Sequence, residues 1–144
     1  MEKRILVAGC SRYLREYLRN GFYCLSNEYY LKMLYKGFDV YNLSKRNLSS
    51  KEALLLIKAF LKTNTYSYCV ISLGEGDLDK NVSKEEFKRN LREILSLCNY
   101  YQVKIILQDT VDFKALHEYQ EAIDELRNLY NLDKETTRKA LLAI

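Results

Sequence analysis

Apolar and polar positions along this chain follow two different periods. Arg4-Ile-Leu-Val-Ala8 is a short, nearly continuous apolar run halted by Gly9, and Phe38-Asp-Val-Tyr-Asn42, Tyr68-Cys-Val-Ile-Ser-Leu73 and Val103–Leu107 repeat that form. Short apolar runs bounded by turn formers predict β-strands buried on both faces. Between them the spacing lengthens to that of helices. Tyr13, Leu14, Tyr17 and Leu18 share one helical stripe in a segment opened by Ser11 and stopped by Asn20-Gly21. Tyr29–Tyr35 predicts a second helix, closed by Gly37. Ser49-Ser-Lys-Glu52 and Ser83-Lys-Glu-Glu86 have capping-box form, a serine with glutamate three residues on. The first opens a helix over Ala53–Leu61; the second opens a long one with Phe87, Leu91, Ile94, Leu95 and Cys98 on one stripe. His117–Tyr130 predicts another helix, and Asp133 caps a last short one.

The resulting order, β-α-α-β-α-β-α-β-α-α, predicts a parallel sheet covered on both faces. We expect a single three-layer α/β/α domain over residues 1–144, flavodoxin-like, with four or five strands in the order 2-1-3-4(-5). In such sheets ligands bind beyond the carboxyl ends of the strands. The loops there are Gly9–Arg12, Leu43–Asn47, Gly74–Asp79 and Gln108–Phe113.

Composition narrows the function. With 144 residues, 48% of them hydrophobic and 29% charged, the chain has the size and make-up of one folded domain. Its longest apolar runs fall far short of the roughly 20 residues of a membrane span. The start, Met1-Glu-Lys-Arg4, shows no signal-peptide pattern. Cys10, Cys24, Cys69 and Cys98 are widely spaced, which predicts reduced thiols in a cytoplasmic protein and neither a zinc site nor a disulfide framework. No metal or other cofactor is expected. Lysine and arginine outnumber acids 12 to 5 over residues 1–64, whereas residues 65–144 hold 11 against 14. Arg12, Arg15, Arg19, Lys45 and Arg46 form a candidate anion-binding patch against the plain reading of a solvated basic face. No glycine-rich phosphate loop or nucleic-acid motif is present, so no nucleic-acid partner is expected. The 13 tyrosines suit core packing and equally a homo-oligomeric or protein contact surface. His117 is the one histidine, so any histidine-dependent mechanism must use it.

The loops carry a resemblance. Val70-Ile-Ser-Leu-Gly-Glu-Gly-Asp-Leu78 with Ser83-Lys-Glu-Glu-Phe-Lys-Arg-Asn-Leu-Arg-Glu-Ile94 resembles the third block of SGNH (GDSL-type) hydrolases, a strand, a G-x-N-D turn and a helix. Ile5-Leu-Val-Ala-Gly-Cys-Ser11 is similar to the first block, Asp39-Val-Tyr-Asn-Leu-Ser-Lys-Arg-Asn47 to the second, and Lys104–Leu107 to the strand that follows. The likeness covers residues 4–111 and implies ester hydrolysis with Ser11 as nucleophile and the Ser11 and Asn47 amides as oxyanion donors. Gly74 and Asp77 match the third block's glycine and aspartate, but Gly76 stands where its asparagine donates to the oxyanion. The fifth block, D-x-x-H, has its spacing in Asp133-Lys-Glu-Thr136, with threonine in place of the histidine.

Losing one oxyanion donor costs ~10²–10³ in rate, and losing the base about 10⁴ or more. His117, near Asp109 and Asp112 in sequence, is the candidate replacement base; a half-exposed helical histidine is its plain reading. Ser11 equally suits a helix N-cap, Cys10 a tight turn or a thiolate lowered by Arg12, and Glu75, Asp77 and Asp79 solvated turn positions or a Mg²⁺ or Ca²⁺ site. Two readings stay open: a weak or atypical serine esterase acting on a small ester, or a catalytically degenerate module that binds an anionic ligand or protein partner at the same edge.

Overall fold

The computed structural model describes residues 3–9, 18–19, 22–23, 37–110 and 115–132. Among the described residues six strands and four helices follow in chain order: β1 Arg4–Gly9, β2 Leu18–Arg19, β3 Phe22–Tyr23, β4 Asp39–Asn42, α1 Ser50–Thr63, β5 Tyr68–Ser72, α2 Glu75–Asp79, α3 Lys84–Tyr100, β6 Lys104–Leu107 and α4 His117–Leu129. The main sheet is wholly parallel in the order β4-β1-β5-β6, so its strands stand 2-1-3-4 when numbered among themselves.

The central strands β1 and β5 are apolar along most of their length because both of their faces are buried, whereas the edge strands β4 and β6 begin at exposed Asp39 and Lys104. Leu6, Ala8, Cys69, Ile71 and Leu107 join the large core that α1, α3 and α4 cover. Ile5, Val7, Val70 and Ile106 point the opposite way and are almost fully buried as well. The expected stripe Phe87, Leu91, Ile94, Leu95 and Cys98 is buried along α3.

The caps are local signals that the structure realises. Ser49 and Glu52 form the reciprocal capping box at the start of α1; Ser83 Oγ accepts from the Glu86 N–H at the start of α3. Helix ends use a device that glycine counting misses. After α2, α3 and α4, Asn81, Gln102 and Asn131 take φ of 55°, 58° and 56°. The following N–H groups, of Val82, Val103 and Leu132, reach back to the carbonyls of Asp77, Cys98 and Arg127 at 2.9, 2.8 and 2.7 Å. That is the Schellman arrangement, built here on asparagine and glutamine.

Two expectations change. Leu18 does not sit in a helix: Leu18–Arg19 pairs antiparallel with Phe22–Tyr23. In sequence Asn20-Gly21 is a hairpin-turn dipeptide as well as a helix stop, so the local signal does not choose between the two. The stretch Gly74–Asp79, expected as a loop, contains the short helix α2. The expected helix Tyr29–Tyr35 and the Asp133 cap lie outside the described residues. Among the described residues no helix is long and apolar enough to cross a membrane.

Candidate functional site

The carboxyl ends of β1, β4, β5 and β6 open on one rim, as a parallel sheet requires. The segment after β4 is stitched to the end of β1: Leu43 N–H donates to the Val7 carbonyl at 2.7 Å and Lys45 N–H to the Gly9 carbonyl at 3.3 Å. Ser11, two positions beyond Gly9, and its neighbour Arg12 lie outside the described residues. Asn47 and Gly76 do meet on this rim. A Cβ placed on Gly76 would stand 2.5 Å from the Leu48 carbonyl carbon and 2.6 Å from that of Asn47, and closer still to the Leu48 oxygen. The backbone of the second-block loop fills the space that an asparagine side chain at position 76 would need.

Asn47 takes φ 60°, the left-handed region. Asparagine is among the residues that best tolerate that conformation without being glycine. Its carbonyl accepts from Lys80 Nζ at 3.0 Å, and its own N–H makes no hydrogen bond among the described residues. That N–H is one backbone donor the described rim offers to an anion. Beside it, Ser44 Oγ is buried without a partner among the described residues, a polar position that the sequence reading passed over.

Gly74 makes the strand-to-helix turn at φ 137°, a conformation closed to L side chains. A Cβ there would lie 3.3 Å from Thr110 Cγ2 and 3.6 Å from Leu116 Cδ1, so the turn after β5 packs directly on the connection into α4.

Asp77 faces inward, away from any ligand. It is fully buried; Ser50 donates to it twice, through N–H at 2.7 Å and through Oγ–H at 2.5 Å, and Asn90 Nδ2 donates to Ser50 Oγ at 3.1 Å. The carboxylate thus stabilises the N-terminus of α1, where the helix dipole favours an anion. Burial pushes the Asp77 carboxyl above its ordinary 3.8, with the two Ser50 bonds opposing. A raised native-state pKa means that burial penalises the ionised form more than the Ser50 bonds and the helix end favour it, so the group's contribution to stability is greatest below the unfolded pKa and falls as pH rises through the native one. Asp77→Asn keeps an acceptor for Ser50 N–H and replaces the charge. Between about pH 3.8 and neutrality the wild type is expected to lose stability relative to Asp77→Asn. Urea melts across that range check it, and a difference independent of pH would refute it.

The remaining candidates disperse. Lys45 is paired with Glu52 Oε2 at 2.7 Å, and Lys80 binds the other Glu52 oxygen. The two ammoniums hold the Glu52 carboxyl down at about 2. Arg46 is exposed and has no ion-pair partner among the described residues. His117 begins α4, one residue after Leu116, but its Nε2 is turned along the helix to Glu121 Oε1 at 2.9 Å with the ring 71% exposed. That is a solvated i, i+4 pair, not an imidazole aimed at the rim. Asp109 accepts from buried Arg127 at 2.5 Å. With Asp77 buried and Asp79 exposed, the three acids of the third block do not converge. No three His, Cys, Asp or Glu groups gather as a metal site among the described residues.

No family model matches the chain, and no curated protein sequence matches it. Solved structures do. The esterase AlinE4, of the SGNH-hydrolase family, is 20% identical with a TM-score of 0.72 over 91% of this chain and 74% of its own. The psychrotrophic esterase EstA from Pseudoalteromonas sp. is 16% identical, TM-score 0.69, over 91% and 75%. A member of the lipolytic G-D-S-L family from Veillonella parvula DSM 2008 is 12% identical, TM-score 0.67, over 91% and 75%. The chain has an SGNH-hydrolase-like fold.

Proposed function

We propose that this protein is a catalytically degenerate member of the SGNH fold group, which keeps the sheet rim of an ester hydrolase and uses it to bind an anionic ligand. One observation carries the loss of catalysis: the Leu48 and Asn47 backbone occupies the Cβ position of residue 76. The strongest side-chain oxyanion donor of the family pattern has no room there, at a cost of ~10²–10³ in rate. The outward pairing of His117 with Glu121 adds the loss of a general base. What remains on the loop after β4 is suited to holding an anion: the free N–H of Asn47, the unpartnered Ser44 hydroxyl and the exposed Arg46 guanidinium, with Arg12 close in sequence to the end of β1. Free thiols at Cys69 and Cys98 in mutual contact, the Cys69 thiol raised by that contact and by burial, support a cytoplasmic home.

The test is direct. Incubated with a fluorophosphonate probe and with short-chain p-nitrophenyl esters, the protein is expected to show no labelling and no turnover above a Ser11→Ala control. Stoichiometric labelling that vanishes in Ser11→Ala would establish the esterase reading in its place. Inorganic phosphate or acetyl phosphate at ten times a millimolar Kd should raise Tm by about 3 °C, and Arg12→Ala with Arg46→Ala should abolish the shift.

A further inference from the structure

The amino ends of the strands, on the opposite rim, carry a feature that the degenerate site does not explain. A cleft of about 590 Å³ is walled by Phe38, Tyr66, Tyr68 and Tyr101 together with Lys3 and Lys104. A second cleft of about 460 Å³ shares Tyr66 and Tyr101 with it and adds Arg4, Lys62 and Asn64. Among the described residues four cations border the two, and no aspartate or glutamate lines either.

The rings and charges are already arranged against each other. Phe38 and Tyr68 meet edge to face with centroids 5.9 Å apart. Lys3 Nζ stands 5.4 Å from the Phe38 centroid and Lys104 Nζ 5.8 Å from that of Tyr68. Neither ammonium has a carboxylate partner among the described residues, so an anion can approach both without breaking an ion pair. Tyr66, buried in the shared wall, has its hydroxyl beside the Asn64 side chain but in no hydrogen bond of good geometry.

We infer that this cleft binds a nucleoside phosphate, with the phosphate held by Lys3 and Lys104 and the base against the Tyr66–Tyr101 wall. The cations require negative charge, and the aromatic walls require a flat, polarisable surface, which inorganic phosphate lacks. The volume is that of a small-molecule site. A concave cleft of that size suits one or two nucleotide units, not the extended basic track along which a single strand binds.

The experiment titrates the full chain with N-methylanthraniloyl-AMP and -ADP, following fluorescence anisotropy at 50 and 300 mM salt. Saturable binding, weakened at the higher salt and weakened tenfold or more by Lys3→Ala with Lys104→Ala, is expected. Lys84→Ala with Lys88→Ala removes the same charge from the side of α3 that faces α4 and should leave binding unchanged. Unlabelled AMP should compete; inorganic phosphate at equal concentration should not. Equal competition by phosphate, loss of binding in Lys84→Ala with Lys88→Ala, or an oligouridylate binding more than tenfold tighter than AMP would each overturn the inference, and so would no binding at 1 mM nucleotide. Because Arg46→Ala reports on one rim and Lys3→Ala with Lys104→Ala on the other, either site can fail without the other.

Discussion

Gly76→Asn, the substitution that introduces the asparagine of the resembled third block, is expected to destabilise the protein by about 3 kcal/mol or more without creating esterase activity. The reason is spatial. A Cβ at position 76 falls 2.5 and 2.6 Å from the carbonyl carbons of Leu48 and Asn47, and backbone cannot swing aside as a side-chain tip can. The loop would have to move as a unit. It is held by Lys45 N–H on the Gly9 carbonyl, by Lys80 on the Asn47 carbonyl, and by Lys45 and Lys80 on Glu52. Urea denaturation and p-nitrophenyl ester turnover read the two halves of the expectation. A variant of wild-type stability that also hydrolyses esters would show that position 76 has room for its donor, and the degenerate reading would then fail. Gly76→Ala separates clash from chemistry, because it brings the same Cβ with no amide and should cost a similar amount.

This crowding also shows where a sequence stops being legible. The block order and spacing placed Asn47 and Gly76 on one rim, and the parallel sheet does bring them into contact. Nothing local reveals that the contact is backbone against Cβ position, since residues 47–48 and 76 are far apart in the chain. Asp77 is the same case. Its motif position points to a loop, and its partner Ser50 lies 27 residues away. Lys45 was legible as a basic loop residue, but its engagement by Glu52 depends on how α1 is set against the loop.

Signals that act within a few residues fared better. Both capping serines bond as their spacing implies, and the four apolar runs are the four strands of the main sheet. The misreading at Leu18 arose because the sequence Asn20-Gly21 is compatible with a helix stop and with a hairpin, and only the pairing of Leu18–Arg19 with Phe22–Tyr23 decides. Helix ends were indistinct because asparagine and glutamine, at Asn81, Gln102 and Asn131, take the left-handed position that glycine usually marks.

The second large effect is expected from Arg127→Ala, which should cost about 3–5 kcal/mol and lower Tm by roughly 10 °C. Arg127 is 5% exposed near the end of α4. Its guanidinium donates to Asp109 Oδ1 at 2.5 Å and to the Leu107 carbonyl at 2.6 Å, which ties the last residue of β6 to the helix. Gln120, two turns back on the same face, accepts from Thr110 N–H at 2.8 Å and donates to Asp109 at 2.9 Å. Truncating Arg127 leaves Asp109 without its cation and the Leu107 carbonyl without its donor, in surroundings too dry for water to replace both cheaply. Arg127→Met with Asp109→Asn removes the charges while keeping the volume, and should recover most of the loss. A double-mutant cycle in urea measures that coupling. Should Arg127→Ala prove no more costly than a surface change, the pair is not what fixes the end of β6. The effect would reach the rim as well, because Thr110, held by Gln120, packs on the Gly74 turn. Anion binding at Arg46 should therefore weaken in Arg127→Ala even at temperatures where the variant remains folded.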